Sequence, residues 1–134
     1  MSEYVDEYKT GDFLVRNILA ADPESGAVAL GAFPRVGQTL EFQLRDRTSA
    51  HEELERILLS KRRAAIRPLA SLVFSCTGRG KHLFGEPHHD ARALTEYLGA
   101  HPSAGFFCNG EIGPVGGRNF VHGYTASIAL LVNA

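Results

Sequence analysis

Apolar and polar positions alternate along this chain in a pattern that predicts strands at both ends and helices between. FLVRNILA and AVALGAF flank DPESG. Asp, Pro, Ser and Gly are turn formers, so these runs predict two strands joined by a reverse turn. TLEFQLRD then places Leu40, Phe42 and Leu44 on one side and Glu41, Gln43 and Arg45 on the other, the period-two signature of a half-buried strand. A helix is expected from about Ser49, where Ser49 and Glu52 have capping-box spacing and Leu54, Ile57 and Leu58 recur at helical intervals. Lys61, Arg62, Arg63 and Arg67 close that helix, where positive charge suits the helix dipole and a solvated face.

The run from Leu69 to Cys76 is apolar apart from Ser71 and Ser75, as expected for a central strand covered on both faces. After CTGRG, a second helix fits Pro87 to Leu98, with Leu94, Tyr97 and Leu98 on one face and Gly99 and Pro102 as stop signals. A strand from Ala104 to Cys108, a glycine-rich loop and a last strand from Phe120 to Val132 complete the chain. The fold class is therefore α/β (α+β): a mixed β-sheet with two main helices in a single domain, residues 11–134, behind an extension of residues 1–10.

With 134 residues, 44% apolar and 22% charged, the chain has the composition of an ordinary globular protein with one core. No apolar run reaches the roughly 20 residues of a bilayer span. The amino terminus, MSEYVDEYK, carries acidic groups where a secretory signal would place positive charge, so a cytoplasmic location is expected. A formal net charge of −1 gives no overall attraction to nucleic acid or to anionic membrane. The two cysteines, Cys76 and Cys108, lack zinc spacing and read as free thiols. Each closes an apolar run, so their sulfurs would lie near one another if the two strands are neighbours.

Candidate chemistry gathers on GFFCNGEIGPVGGRNFVHGYT, Gly105 to Thr125, which places Cys108, Asn109, Glu111, Arg118, Asn119 and His122 between two apolar runs. A glycine-rich loop lets backbone approach a ligand while flanking strands aim the side chains. CTGRG, Cys76 to Gly80, offers Arg79 as a planar cation for a carboxylate or phosphate, although it lacks phosphate-loop spacing. A glycine turn with an exposed arginine is the alternative reading. Glu111 could accept from a ligand amine or pair internally with Arg79. Period-two counting puts His122 on the face of Tyr124, Ala126, Ile128, Leu130 and Val132, at the entrance of the last strand. A hydrogen-bonded structural histidine is its commoner role and a ligand contact the second. The adjacent His88 and His89 point in different directions on a helix and make a weak metal signal, so no metal site is expected.

SLVFSCTGRGKHLFGEP, followed by the helix and by AGFFCNGEIGPVGGRNFVHGYTASIALLV, closely resembles the carboxyl-terminal FIST domain of bacterial and archaeal signal-transduction proteins. The resemblance extends upstream through GDFLVRNILAADPESGAVALGAFPRVGQTLEFQLRDRTSAHEEL. It implies an intracellular, noncatalytic sensory domain for a small molecule such as an amino acid. Such domains follow an amino-terminal FIST half and couple to histidine kinases, cyclases or chemotaxis receptors. Onto this sequence the motif positions carry over as Cys76, Arg79 and Gly80, then Gly110 and Glu111, then His122 and Thr125. The chain departs from that arrangement in lacking an amino-terminal FIST half, so a pocket between halves would have one wall here.

An amino acid ligand would find one countercharge each in Arg79 and Glu111. The resemblance also brings a haem-based nitric oxide sensor into view, with His122 as an axial ligand. An enzyme using Cys76 or Cys108 as nucleophile with His122 is a further alternative, disfavoured by the apolar strand before each thiol. An exposed apolar face would make a homodimer the expected association.

Overall fold

The computed structural model of the chain describes residues 11–133, so the extension expected over residues 1–10 lies outside the described residues. The content is α+β, with a mixed sheet and two main helices as the pattern predicts. The described residues form two compact units, 11–42 with Ile112–Gly123, and Gln43–Glu111 with 124–133.

In the first unit, β1 (Ile18–Asp22) and β2 (Ala27–Leu30) form the expected antiparallel hairpin. Asp22 fixes its turn by accepting at its side chain from the backbone N–H of Glu24 and at its carbonyl from that of Gly26. A second hairpin stands where the sequence predicts a glycine-rich loop. It pairs β3 (Glu111–Val115) with β4 (Arg118–His122) across Gly116 and Gly117. Both glycines have positive φ, 55° and 76°, the left-handed pair that a tight hairpin turn demands.

The second unit begins with α1 (Arg47–Arg63), which starts earlier than expected. Asp46 is its N-cap, accepting from the N–H groups of Thr48 and Ser49, and so displaces Ser49 from the capping role. Leu54 and Leu58 are buried as predicted, whereas Ile57 lies off the inner stripe and is exposed. The central strand is β5 (Ala70–Cys76). It pairs in parallel with β6 (Ser103–Cys108) and antiparallel with β7 (Ala126–Leu131), giving the order β6-β5-β7. Between β5 and β6 the chain crosses over through a single turn, α2 (Lys81–Phe84), and through α3 (His89–Leu98). The core joins Leu54 and Leu58 of α1, Val73 of β5, and Ala93, Leu94 and Leu98 of α3, with Tyr97, Ile128 and Leu130 packed against it.

Three expectations are corrected. TLEFQLRD forms no strand: Phe42 is 68% and Leu44 95% exposed. Alternation supplies a face, but a strand also needs a neighbouring strand, and none pairs with it among the described residues. The long last strand is two, β4 and β7, separated where Tyr124 adopts a positive φ of 66°. His122 is therefore not on the strand of Ala126 and Ile128. Finally, β5 is not apolar on both faces. Ser71, Val73 and Ser75 are buried while Leu72 is exposed, so the two serines that seemed to interrupt the strand mark its inner side.

Gly105 is required by close approach. A β-carbon there would lie 1.8 Å from the carbonyl oxygen of Val73 on the paired strand. Gly105→Ala is expected to lower stability by ~3 kcal/mol or more, the upper part of the overpacking range, measured by urea unfolding. An unchanged midpoint would contradict this account of the strand pair.

Candidate ligand-binding site

Seven of the expected site residues, Cys76, Arg79, Gly80, Asn109, Gly110, Glu111 and Thr125, lie in the second unit; Arg118, Asn119 and His122 lie in the first. The parallel register sets Cys76 opposite Cys108, so the two cysteine-bearing strands are neighbours, and both thiols are free. The loops that follow them are tied together by Thr77, whose hydroxyl donates to Asn109 Oδ1 at 2.7 Å. Gly110 is exposed beside Asn109.

Glu111 is 2% exposed and serves as an internal fastener. Its Oε2 accepts from the backbone N–H of Thr125 at 3.2 Å and from its hydroxyl at 2.9 Å, while Oε1 accepts from the Cys108 thiol at 3.4 Å. Burial pushes the Cys108 thiol up, and the hydrogen bond to Glu111 raises it further. A raised thiol is a weak nucleophile at neutral pH. Cys76 is buried, with its sulfur accepting from the N–H of Gly78 at 3.4 Å.

Arg79 is 7% exposed and turns inward, so the exposed arginine of a glycine turn is not what forms. Its partner is Asp90 near the start of α3 rather than Glu111. Nε donates to Oδ2 and Nη2 to Oδ1, both at 3.0 Å, a two-pronged pairing that suits the flat guanidinium. Asp90, also 7% exposed, accepts further from the Ser75 hydroxyl at 2.8 Å and from His89 Nδ1 at 3.0 Å. Burial pushes the Asp90 carboxyl up, but the Arg79 hydrogen bonds and charge, with His89 and Ser75, outweigh it and hold the group below its ordinary value. The His89 ring is fixed by Phe84, stacked at 3.5 Å between centroids.

This cluster walls a cavity of about 260 Å³. Arg79, Asp90 and Ser75 stand on one side and the edge strand β6 with Phe106 and Phe107 on another. Gly80 matters here, because a β-carbon would come within 3.3 Å of the Phe107 ring. A more open hollow of about 420 Å³ lies at the other end of α3, by Arg62, Arg67 and Gly99, and contains none of the buried ionic groups.

Asp90, Ser75 and His89 were not singled out as site residues from the sequence. The two serines of the strand were the available signal, since a buried serine hydroxyl needs a partner. In the first unit, Arg118 and Asn119 are exposed on β4. His122 Nε2 lies 2.9 Å from the carbonyl oxygen of Gly113 and donates to it, a structural role within the hairpin. Among the described residues no group of three or more His, Cys, Asp or Glu side chains is placed to hold a metal ion, and no helix is long and apolar enough to cross a membrane.

The architecture is that of an α+β domain with a cavity against its mixed sheet. The chain belongs to the FIST C domain family, whose model matches residues 3–114. The family comprises sensory domains of signal-transduction proteins. Uncharacterized protein Rv0628c of Mycobacterium tuberculosis (strain ATCC 25618 / H37Rv) is 47% identical over 127 residues, covering 92% of this chain and 32% of that protein. Uncharacterized protein Mb0898c of Mycobacterium bovis (strain ATCC BAA-935 / AF2122/97) is 46% identical with the same coverage. The chain thus spans about a third of the length of these relatives, 32% in each case.

Asp90→Asn leaves Arg79 buried against a neutral partner and is expected to cost ~3–5 kcal/mol at neutral pH. Because the folded-state value of Asp90 is lowered, its contribution is present above the unfolded value of about 3.9 and is lost as pH falls through the folded value. Denaturant titrations should therefore show that the wild type loses more stability than the variant below about pH 4. Equal acid sensitivity would contradict this assignment.

Proposed function

We propose that the chain is a noncatalytic small-ligand sensory domain of an intracellular signalling protein, and that its ligand occupies the cavity walled by Arg79, Asp90, Phe106 and Phe107. The observation that carries this reading is the buried Arg79–Asp90 pair facing a cavity of about 260 Å³ beside the Phe107 ring. A few convergent polar groups on an apolar-sided hollow are what a small-molecule site requires. The volume suits an amino acid or a similar metabolite. A zwitterion would bind by exchanging partners with the pair, its carboxylate taking donors of Arg79 and its ammonium the acceptors of Asp90. This moves the negative partner from Glu111, which does not line the cavity, to Asp90, which does.

A sensory rather than catalytic role is supported by the raised Cys108 thiol and the buried Cys76. In a longer protein, a second FIST half and an output domain such as a histidine kinase or cyclase would receive the signal.

A thermal-shift screen of amino acids and other small metabolites, followed by calorimetry, tests the site. A compound that binds the folded state raises the melting temperature. Arg79→Lys keeps the charge but loses the fork and is expected to weaken binding about tenfold or more, while Phe107→Ala removes an apolar wall. No shift with any compound, or affinity unchanged in both variants, would overturn the proposal.

A further inference from the structure

His51 on α1 and His89 at the start of α3 form a contact that the ligand reading does not use. His51 Nδ1 and His89 Nε2 are 3.0 Å apart, with ring centroids at 5.1 Å and planes at 70°. On its other side His89 Nδ1 meets Asp90 Oδ1 at 3.0 Å. An ionised carboxylate only accepts, so His89 Nδ1 carries the hydrogen, and Nε2 of the neutral ring is bare. His51 Nδ1 must then be the donor across the bridge.

Proton counting decides how the contact behaves. With both rings neutral, His51 donates to His89. When one ring gains a proton the bridge persists: a cationic His51 still donates, and a cationic His89 donates from Nε2 to the bared Nδ1 of His51. With both rings cationic, two N–H groups face each other and no acceptor remains between them. The contact therefore survives the first proton and fails with the second.

Around the pair stand Asp90 and His88 on the α3 side and Arg79 behind Asp90 from the loop after β5. One turn away along α1 lie Arg47 and Glu55, the latter engaged by the Tyr97 hydroxyl. α2 contributes the uncharged Phe84 ring. Leu54 and Leu58 of α1 share one apolar core with Leu94 and Leu98 of α3. His88 and His89 also line the cavity, so the bridge connects its wall to α1.

We propose that the His51–His89 bridge is an acid-released latch, holding the amino-terminal part of α1 against the cavity-lining start of α3 and opening when both rings are protonated. Long-range ¹H–¹⁵N spectra of histidine-labelled protein test it. At neutral pH both rings should carry hydrogen on Nδ1, with His89 Nε2 bare. On acidification the His89 ring and the α1 amides near His51 should change together, while core methyl signals keep their folded positions. His51→Asn supplies both a donor and an acceptor but takes no proton, and should keep α1 on α3 through the same acid range. The proposal is overturned if neutral His51 carries its hydrogen on Nε2 while His89 Nε2 is bare. It is equally overturned if His51→Asn shows the wild-type acid response.

Discussion

A buried carboxylate must be bonded at nearly every lone pair or be protonated, and Asp90 meets that constraint with partners drawn from three segments. Arg79 comes from the loop after the central strand, Ser75 from the strand itself and His89 from the start of α3. Satisfying one side chain therefore fixes where the loop turns, how the helix begins and which face of the strand looks inward. The cavity is a consequence: its polar wall is this cluster.

The arrangement links stability to function in one place. A pair of opposite charges out of water gains little net stability over apolar replacements, but it tolerates the loss of one partner badly. Retaining such a pair makes physical sense at a site where a ligand of mixed charge can exchange partners with it. Glu111 is a contrasting case: equally buried, it closes on Thr125 and Cys108 and joins the end of β6 to the start of β7.

Elements carried by local chemistry were legible in the sequence: the first hairpin through its DPESG turn, α1 through its apolar stripe, β5 through its continuous run, and the stop at Gly99. The family was legible in the sequence, and its model covers CTGRG and the Gly105 to Thr125 stretch as far as residue 114. What escaped depended on partners distant in sequence. TLEFQLRD has a strand's pattern without a strand beside it among the described residues; the hairpin across Gly116 and Gly117 was by contrast a local signal left unread, because a Gly-Gly pair between two strands permits a tight turn. Arg79 and Glu111, singled out from the sequence, are both buried and bonded, but the partner of Arg79 is Asp90, which lay unremarked on a helix, and not Glu111. No spacing rule links residues 79 and 90 across a crossover.

A double-mutant cycle at Arg79 and Asp90 tests most directly whether their pairing organises this unit. Arg79→Met, Asp90→Leu and the double variant would be compared by urea unfolding at neutral pH. The account predicts that each single change is more damaging than both together, because each leaves a buried charge without its partner. Additive losses would contradict it and make the pair incidental to the fold.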